Sequence, residues 1–496
     1  MRPSDERFRE VFDTLEPYIE SRYSVPVIIK DVPDPFTGDL DGSEIHVDYA
    51  NDMESAVFII AVGLPSTDSD TYWQLATGRW MLDHREFLRM DIFSSTVAGT
   101  HFGIGEWLGQ IAFAASFEAS GWAGIAILRA TLIAVGAFFL VRLARRGGTP
   151  WWISLPLVIA ALLVSKITWT DRPQLFTLAL FPALLELLLS MPRGFSRRLL
   201  VLPPLFLLWT NLHGGYLLGL AVVAIFAVEA VLTNGRRGLP LAAAAVACVA
   251  VTFLNPAPLE LAGAAREDFL HPPRFLTEFL PPDVVTPAGA LFAGFVMVVI
   301  GSALLRGGSL REAMLLAPLL YLAFTAQRQM LFFCFAATPF LGARLTGFAQ
   351  SGRAFELPAP VRTPVALVLV VAALASGFGA PVHPDERAYP ADALATLRAD
   401  NGILLNEYDW GGYLIFNLPE RPVFIDGRYV PYLGGVLDDY RAVVGLRPGW
   451  RDLLDKYKVS ELLLRPERPL AVALREDGWR VRSSDRDGRW IVLARP

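Results

Sequence analysis

The chain has 496 residues, of which 53% are hydrophobic and only 19% charged, with a formal net charge of −5. This is too apolar for a string of ordinary soluble domains. The small net charge says little, because the charges are segregated by region, and no nucleic-acid partner is expected.

The N-terminus, "MRPSDERFREVFDTLEPYIESRY", is charged, amphipathic and without the apolar centre of a cleavable signal peptide. The apolar run at 56–65 is too short to cross a bilayer, although a first membrane helix is wanted there. Then comes "STDSDTYWQLATGRWML" (66–82), which sets Asp68 and Asp70 ahead of an aromatic-rich helical run. From about 107 to 379 long apolar runs alternate with short polar links. About 20 apolar residues span a hydrocarbon layer of about 30 Å. Candidate spans are 122–141, 151–168, 174–190, 199–210, 215–233, 239–254, 288–305, 313–326, 329–343 and 363–379. The fold class is therefore a polytopic α-helical membrane protein with about ten transmembrane helices.

Lysine is nearly absent, so arginine carries the positive charge and reports orientation. "RLARR" (142–146), "PRGFSRR" (192–198), "GRRG" (235–238), "RGGSLR" (306–311) and the 343–353 link are arginine-rich. The intervening links at 168–174, 210–216, 255–287 and 325–329 are not. The positive-inside rule puts the first set in the cytoplasm and the second outside, together with the 66–106 loop. Asp68, Asp70, Asp171, Arg172, His213, His271, Arg274 and Arg328 then gather on the outer face. Arg129 is buried about seven residues deep in a span, where a charge must face a cavity or pair with an acid. Glu186 and Glu229, near cytoplasmic ends, read as structural. Cys248 and Cys334 lie in apolar segments and read as small buried residues.

Residues 383–496 switch to an α/β pattern, an extracytoplasmic domain by the same alternation. Strands are expected at 402–408, 422–428 and 460–466, helices at 391–400, 433–446, 450–459 and 469–478, and a closing hairpin turning near Asp487-Gly488. Strands separated by helices imply a mostly parallel sheet. Asp426 and Arg428 are either a binding pair at a strand end or a salt bridge that holds the domain together.

Seven segments taken together resemble the GT-C glycosyltransferases of bacterial and archaeal membranes, from about residue 66 to 496. They are "DSDTYWQLATGRWML" (68–82), "MDIFSST" (90–96), "GEWLGQIAF" (105–113), "DRPQLFTLAL" (171–180), "NLHGGYLLGL" (211–220), "QRQMLFFCFAATPFLG" (327–342) and "WGGYLIFNLPERPVFIDGR" (410–428). The first 60 residues resemble a truncated zinc-metallopeptidase domain, but no HExxH follows, so no peptidase zinc site is expected. The domains are thus 1–60, a membrane part at 61–382 and an α/β part at 383–496.

The GT-C resemblance implies transfer of a sugar from a polyprenyl-phosphate donor to an acceptor on the outer face of the cell membrane, with membrane lipid as the surrounding partner. It implies Asp70 as catalytic acid, with Asp68 and Glu106 behind it. Arg172, His213, Arg328, Arg129 and Asp171 are implied as the donor-binding set. A general base or a divalent cation could be served by the acids, but no residue is assigned as a metal ligand. Asp70 or Ser69 could instead cap the helix that follows, and Arg172 could simply pair with Asp171. Gln74 and Gly105 stand where the family often has histidine, which weakens a metal role. The rival readings are a lipid or solute transporter, or a non-catalytic membrane assembly protein.

Overall fold

The computed structural model describes residues 68–192, 194–270, 276–350 and 386–496, together with Val57 and Ala61. The expectations for the N-terminal segment before Val57, for the 363–379 span and for His271 and Arg274 lie outside these residues.

Helices follow the apolar runs. In chain order they are α1 (Asp70–His84), α2 (Trp107–Ala144), α3 (Trp151–Ser165), α4 (Gln174–Leu189), α5 (Leu202–Leu212), α6 (Tyr216–Asn234), α7 (Leu239–Thr252), α8 (Pro258–Leu270), α9 (Pro287–Arg306), α10 (Leu310–Thr325) and α11 (Met330–Gln350). Among the described residues, five stretches are long and apolar enough to cross a membrane: Trp107–Ala144, Trp151–Thr168, Tyr216–Thr252, Pro287–Arg306 and Gln327–Gln350. The Tyr216–Thr252 stretch holds two of the expected spans, α6 and α7, which pack on each other across the Gly235–Gly238 turn. α4, α5 and α10 match expected spans but, at 16, 11 and 16 residues, are shorter than those five stretches.

Local chemistry fixes the ends. Thr286 accepts the Gly289 amide and Pro287 opens the first turn of α9, while Ser309 accepts the Glu312 amide at the start of α10. Both satisfy a donor that the helix cannot satisfy itself. α2 is broken at Ser120 and Gly121, both outside helical angles, so its second half starts at the expected 122. Without water to drive them together, helices in a membrane associate through close contact at small residues. Gly136 of α2 is such a place, because a Cβ there would lie 2.8 Å from the Leu178 carbonyl oxygen of α4. Cys248 and Cys334 are buried free thiols.

The α/β part contains α12 (Leu394–Arg398), β1 (Ile403–Asn406), α13 (Gly411–Asn417), α14 (Val436–Val444), α15 (Trp450–Lys456), β2 (Val459–Leu464), α16 (Pro469–Glu476), β3 (Arg480–Ser484) and β4 (Ile491–Ala494). Its four strands lie in the order β1-β2-β4-β3. Only β1 and β2 run parallel; β4 is antiparallel to both of its neighbours. The expected mostly parallel sheet is therefore corrected, because the closing hairpin supplies half of its strands.

The expected strand at 422–428 is also corrected. Its backbone bonds go to the loop before α2: the Val423 amide donates to the Phe93 carbonyl, and the Ser95 amide donates to the Val423 carbonyl. The Asn406 side chain, from β1, accepts the Phe424 amide and donates to the Ile425 carbonyl. Extended backbone satisfied in this way has no need of a place in the sheet.

α1 does not have the single apolar face expected of a helix lying along an interface. Its buried residues, Thr71, Tyr72, Gln74, Leu75, Thr77, Gly78 and Met81, cover more than half its circumference. The cause is that α1 is held from two sides, by α2 and by α13. Tyr72 meets the rings of Trp122, Tyr389 and Tyr413 edge-on, with centroids 5.1–5.4 Å apart.

Candidate functional site

Arg172 is the centre of the polar cluster. It lies in the link before α4, and each of its three nitrogens meets a different carboxylate. Nε is 2.7 Å from Asp68, Nη1 is 2.9 Å from Asp70, and Nη2 is 3.0 Å from Glu278. The local pair with Asp171 is not formed. Asp171 instead receives the Arg129 guanidinium, 2.8 Å away, with both side chains almost fully buried. Arg129 also donates through Nε to the Ala61 carbonyl. Arg129 and Asp171 thus form a strut and are absent from the lining of the cavity described next, although they stood among the implied donor-binding residues.

Neither capping reading of 68–70 holds as stated. The side chain of Ser69 makes no cap, and the Asp70 carboxylate is turned on Arg172. Asp68 does both jobs: one oxygen accepts the Asp70 amide and the other faces Arg172.

Glu278 links this cluster to a cavity. Its second oxygen lies 3.8 Å from Arg328, whose guanidinium stacks on the Phe279 ring at 3.6 Å. The cavity has a volume of about 990 Å³. Its polar wall includes Glu106, Thr177, His213 and Arg328; Leu217, Leu218 and Ala221 of α6 and Tyr321, Leu322 and Phe324 of α10 make an apolar wall. Tyr321 and Phe324 are also well exposed. Asp68, Asp70 and Arg172 do not line the cavity. They stand behind its wall, at the far end of the ion-pair chain Arg328–Glu278–Arg172–Asp70.

His213 is held rigidly in the link between α5 and α6. Its Nδ1 accepts the Gly215 amide at 3.0 Å and lies 2.8 Å from the Thr177 hydroxyl. The Trp209 indole fixes that hydroxyl at 2.9 Å. An acceptor Nδ1 leaves the proton on Nε2, which faces Glu106 at 3.5 Å. Burial pushes the imidazole pKa down. His213 is therefore a neutral donor rather than a cation. Glu106 also accepts the Gly214 amide.

Asp70 has the unusual titration. Burial first, and the neighbouring Asp68 charge second, raise its pKa from 3.8 to about 7, against the pull of Arg172. The same surroundings keep Arg172 firmly protonated. Because folding raises the Asp70 pKa, the folded chain binds that proton more tightly than the unfolded one. The contribution of this group to stability is complete below about pH 4 and is lost as the pH rises through about 7. Chemical denaturation between pH 5 and pH 8 is expected to show that decline, and Asp70→Asn is expected to flatten it.

Among the described residues, no group of three His, Cys, Asp or Glu side chains is placed to hold a metal ion. The carboxylates of Asp68, Asp70 and Glu278 converge instead on the Arg172 guanidinium.

The α/β part presses on the acid. A Cβ at Gly427 would fall 1.7 Å from Asp70 Oδ1, and one at Gly412 would fall 2.5 Å from the Ser69 carbonyl oxygen. Asp426 and Arg428, on either side of Gly427, form no open binding pair. Arg428 is buried between Asp426, at 2.5 Å, and Asp91, at 2.6 Å. Gly427→Ala is expected to push Asp70 off Arg172 and to destabilise the fold by about 1–3 kcal/mol. Thermal unfolding of that variant measures the effect; a wild-type melting temperature would show that Gly427 does not set the position of Asp70.

Glu278, Thr177 and Gly427 were not foreseen. Glu278 is one of five acids in the long 255–287 link, with Glu260, Glu267, Asp268 and Asp283, and nothing in its local sequence singles it out. Glu186 pairs with Arg142 and Arg146, and Glu229 with Arg311.

No family model matches the chain, and no curated protein matches it. Among the solved structures that share its fold are two of one protein. One is ArnT from Cupriavidus metallidurans bound to undecaprenyl phosphate, with a TM-score of 0.54 and 14% identity over 90% of this chain and 97% of that one. The other is the same protein in the apo state, with a TM-score of 0.53 and 14% identity over the same shares. The chain therefore shares the fold of those two structures.

Proposed function

We propose that this protein is a membrane glycosyltransferase that moves a sugar from a polyprenyl-phosphate donor to an acceptor hydroxyl on the outer face of the membrane. In this reading the chain crosses the bilayer about ten times, and residues 383–496 form an extracytoplasmic domain. The observation that carries the proposal is the two-sided cavity, whose apolar wall between α6 and α10 meets a polar wall tied by ion pairs to Asp70. A lipid phosphate has the same division between tail and headgroup. The shared fold with a structure bound to undecaprenyl phosphate supports it.

The residues then divide the work. The polyprenyl chain lies along Leu217, Leu218, Ala221, Tyr321 and Phe324. Arg328 neutralises the phosphate, and the Nε2 proton of His213 adds a neutral hydrogen bond as negative charge gathers on the leaving oxygen. The acceptor oxygen bonds to the sugar carbon as the bond to the phosphate oxygen breaks, and that oxygen keeps the electron pair. The acceptor enters on the Asp70 side of the ion-pair chain, where that carboxylate is about 19% exposed, and its proton passes to Asp70, whose pKa near 7 suits a base at neutral pH. Arg172 orients the carboxylate. Arg129 and Asp171 stay outside the chemistry.

Purified protein with a radiolabelled polyprenyl-phosphate sugar and cell-envelope acceptors tests this reading. Turnover is expected, with kcat/KM rising as the pH passes through about 7 while Asp70 loses its proton. Movement of the lipid across a vesicle bilayer without sugar transfer would establish the transporter instead. If Glu106→Gln abolished turnover and Asp70→Asn did not, the base would be Glu106.

A further inference from the structure

Asp426 and Arg428 flank Gly427, whose backbone packs on the Asp70 carboxylate, and neither takes part in the chemistry above. Both are almost fully buried, as is Asp91. Arg428 Nε donates to Asp426 Oδ1 at 2.7 Å, Nη2 donates to Asp426 Oδ2 and to the Tyr432 hydroxyl, and Nη1 donates to Asp91 Oδ2 at 2.6 Å. The other oxygen of Asp91 accepts the amides of Phe93 and Ser94 and the Ser94 hydroxyl, so Arg428 is tied to the loop before α2.

That loop also grips the segment through its backbone. The Thr96 hydroxyl donates to the Phe424 carbonyl at 2.7 Å, next to the bonds between Ser95 and Val423. The Tyr408 hydroxyl donates to the Gly427 carbonyl at 3.2 Å, and a Cβ at Gly411 would fall 2.2 Å from the Ile425 carbonyl oxygen. A buried ion pair adds little net stability. What it adds here is geometry, because a guanidinium fork meets a carboxylate in a fixed orientation. A bridge that only joined the loop to the α/β part could stand wherever the two meet. This bridge brackets the residue that lies against the acid.

We propose that Arg428 is a positioning residue for Asp70: pinned by Asp426 and Asp91, it holds the Gly427 backbone against that carboxylate and limits its contact with water. The consequence for turnover rests on the reading of Asp70 as the base, whereas the positioning does not. Asp68, Arg172, Glu278 and the Trp73 indole also face Asp70. So do the phenols of Tyr389 and Tyr408, whose pKa values are raised by burial first and by the neighbouring carboxylates second, so both stay protonated near neutral pH. Burial is the first cause of the raised Asp70 pKa. Loosening Gly427 therefore admits water and lowers that pKa toward the ordinary carboxylate range.

The test reads the Asp70 titration in the full-length protein in detergent, from chemical denaturation against pH with and without Asp70→Asn. Arg428→Lys is the informative variant, because it keeps the positive charge and loses the fork. The pH at which the Asp70 contribution to stability disappears is expected to fall by about one unit from its place near 7. Thr96→Val, which removes the bond to the Phe424 carbonyl and alters no charge, is expected to move it the same way by less. Leu474→Ala, in the core of the α/β part, is expected to lower the denaturation midpoint and leave the titration in place. An unmoved titration in folded Arg428→Lys overturns the proposal, as does an equal movement in Leu474→Ala. If Arg428→Lys does not fold, an unmoved titration in Thr96→Val overturns it instead. The pH profile of kcat/KM is expected to follow the same shift. A titration that moves without the activity profile, or without any sugar transfer, would uphold the positioning and overturn only the assignment of Asp70 as the base.

Discussion

Asp70→Asn is expected to lower sugar transfer by about 10²–10⁴-fold, the range that general-base catalysis supplies, while the protein stays folded. The geometry gives both halves of that result. Asn keeps the shape of the side chain that Gly427 touches, so packing is retained. It removes one of three negative charges around Arg172 and leaves Asp68 and Glu278 in place. It also removes a carboxylate whose ionised form burial disfavours, so the fold loses little. The proton acceptor is lost outright. Turnover measured beside thermal unfolding separates the two effects. Wild-type turnover in a folded Asp70→Asn protein would remove Asp70 from the mechanism, and the ion-pair chain behind the cavity would then be purely structural.

The largest stability effect is expected at a pair the chemistry does not use. Asp171→Ala should destabilise the protein by about 3–5 kcal/mol, the range for breaking one side of a buried ion pair. Arg129 is about 1% exposed within a membrane-spanning stretch, where an uncompensated charge has no water to turn to. Replacing both partners, Arg129→Met with Asp171→Leu, should cost less than the single change, because no buried charge is left behind. Unfolding of the two variants in the same detergent measures the difference. If Asp171→Ala unfolded like the wild type, Arg129 would be reaching another acceptor or water.

Much of the helical part was legible because its signals are local. α3, α4, α6, α7, α9, α10 and α11 each coincide with an apolar run read from composition, and the caps at Ser309 and Thr286 lie within a few residues of the helices they start. The closing hairpin was legible for the same reason: its turn closes with the Gly488 amide on the Asp485 carbonyl, and Gly488 has a φ of 71°. The 422–428 segment misled because its residues suit a strand, while its partners in the Phe93–Thr96 loop lie more than three hundred residues away. Nothing within the segment distinguishes a strand in a sheet from extended chain clamped by a loop.

The sequence by itself determined a membrane protein built of apolar helices, with an α/β tail and a sparse set of charges worth watching. Which charges meet was decided only in three dimensions. Asp171 is the immediate neighbour of Arg172 yet pairs with Arg129, whereas Arg172 reaches Asp70 and Glu278 across separations of 102 and 106 residues. Helix and strand preferences are set by a side chain and its neighbours within a turn or two. Ion pairs between distant segments depend on how the helices pack, and that packing is set by steric fit at places such as Gly136 and Gly427.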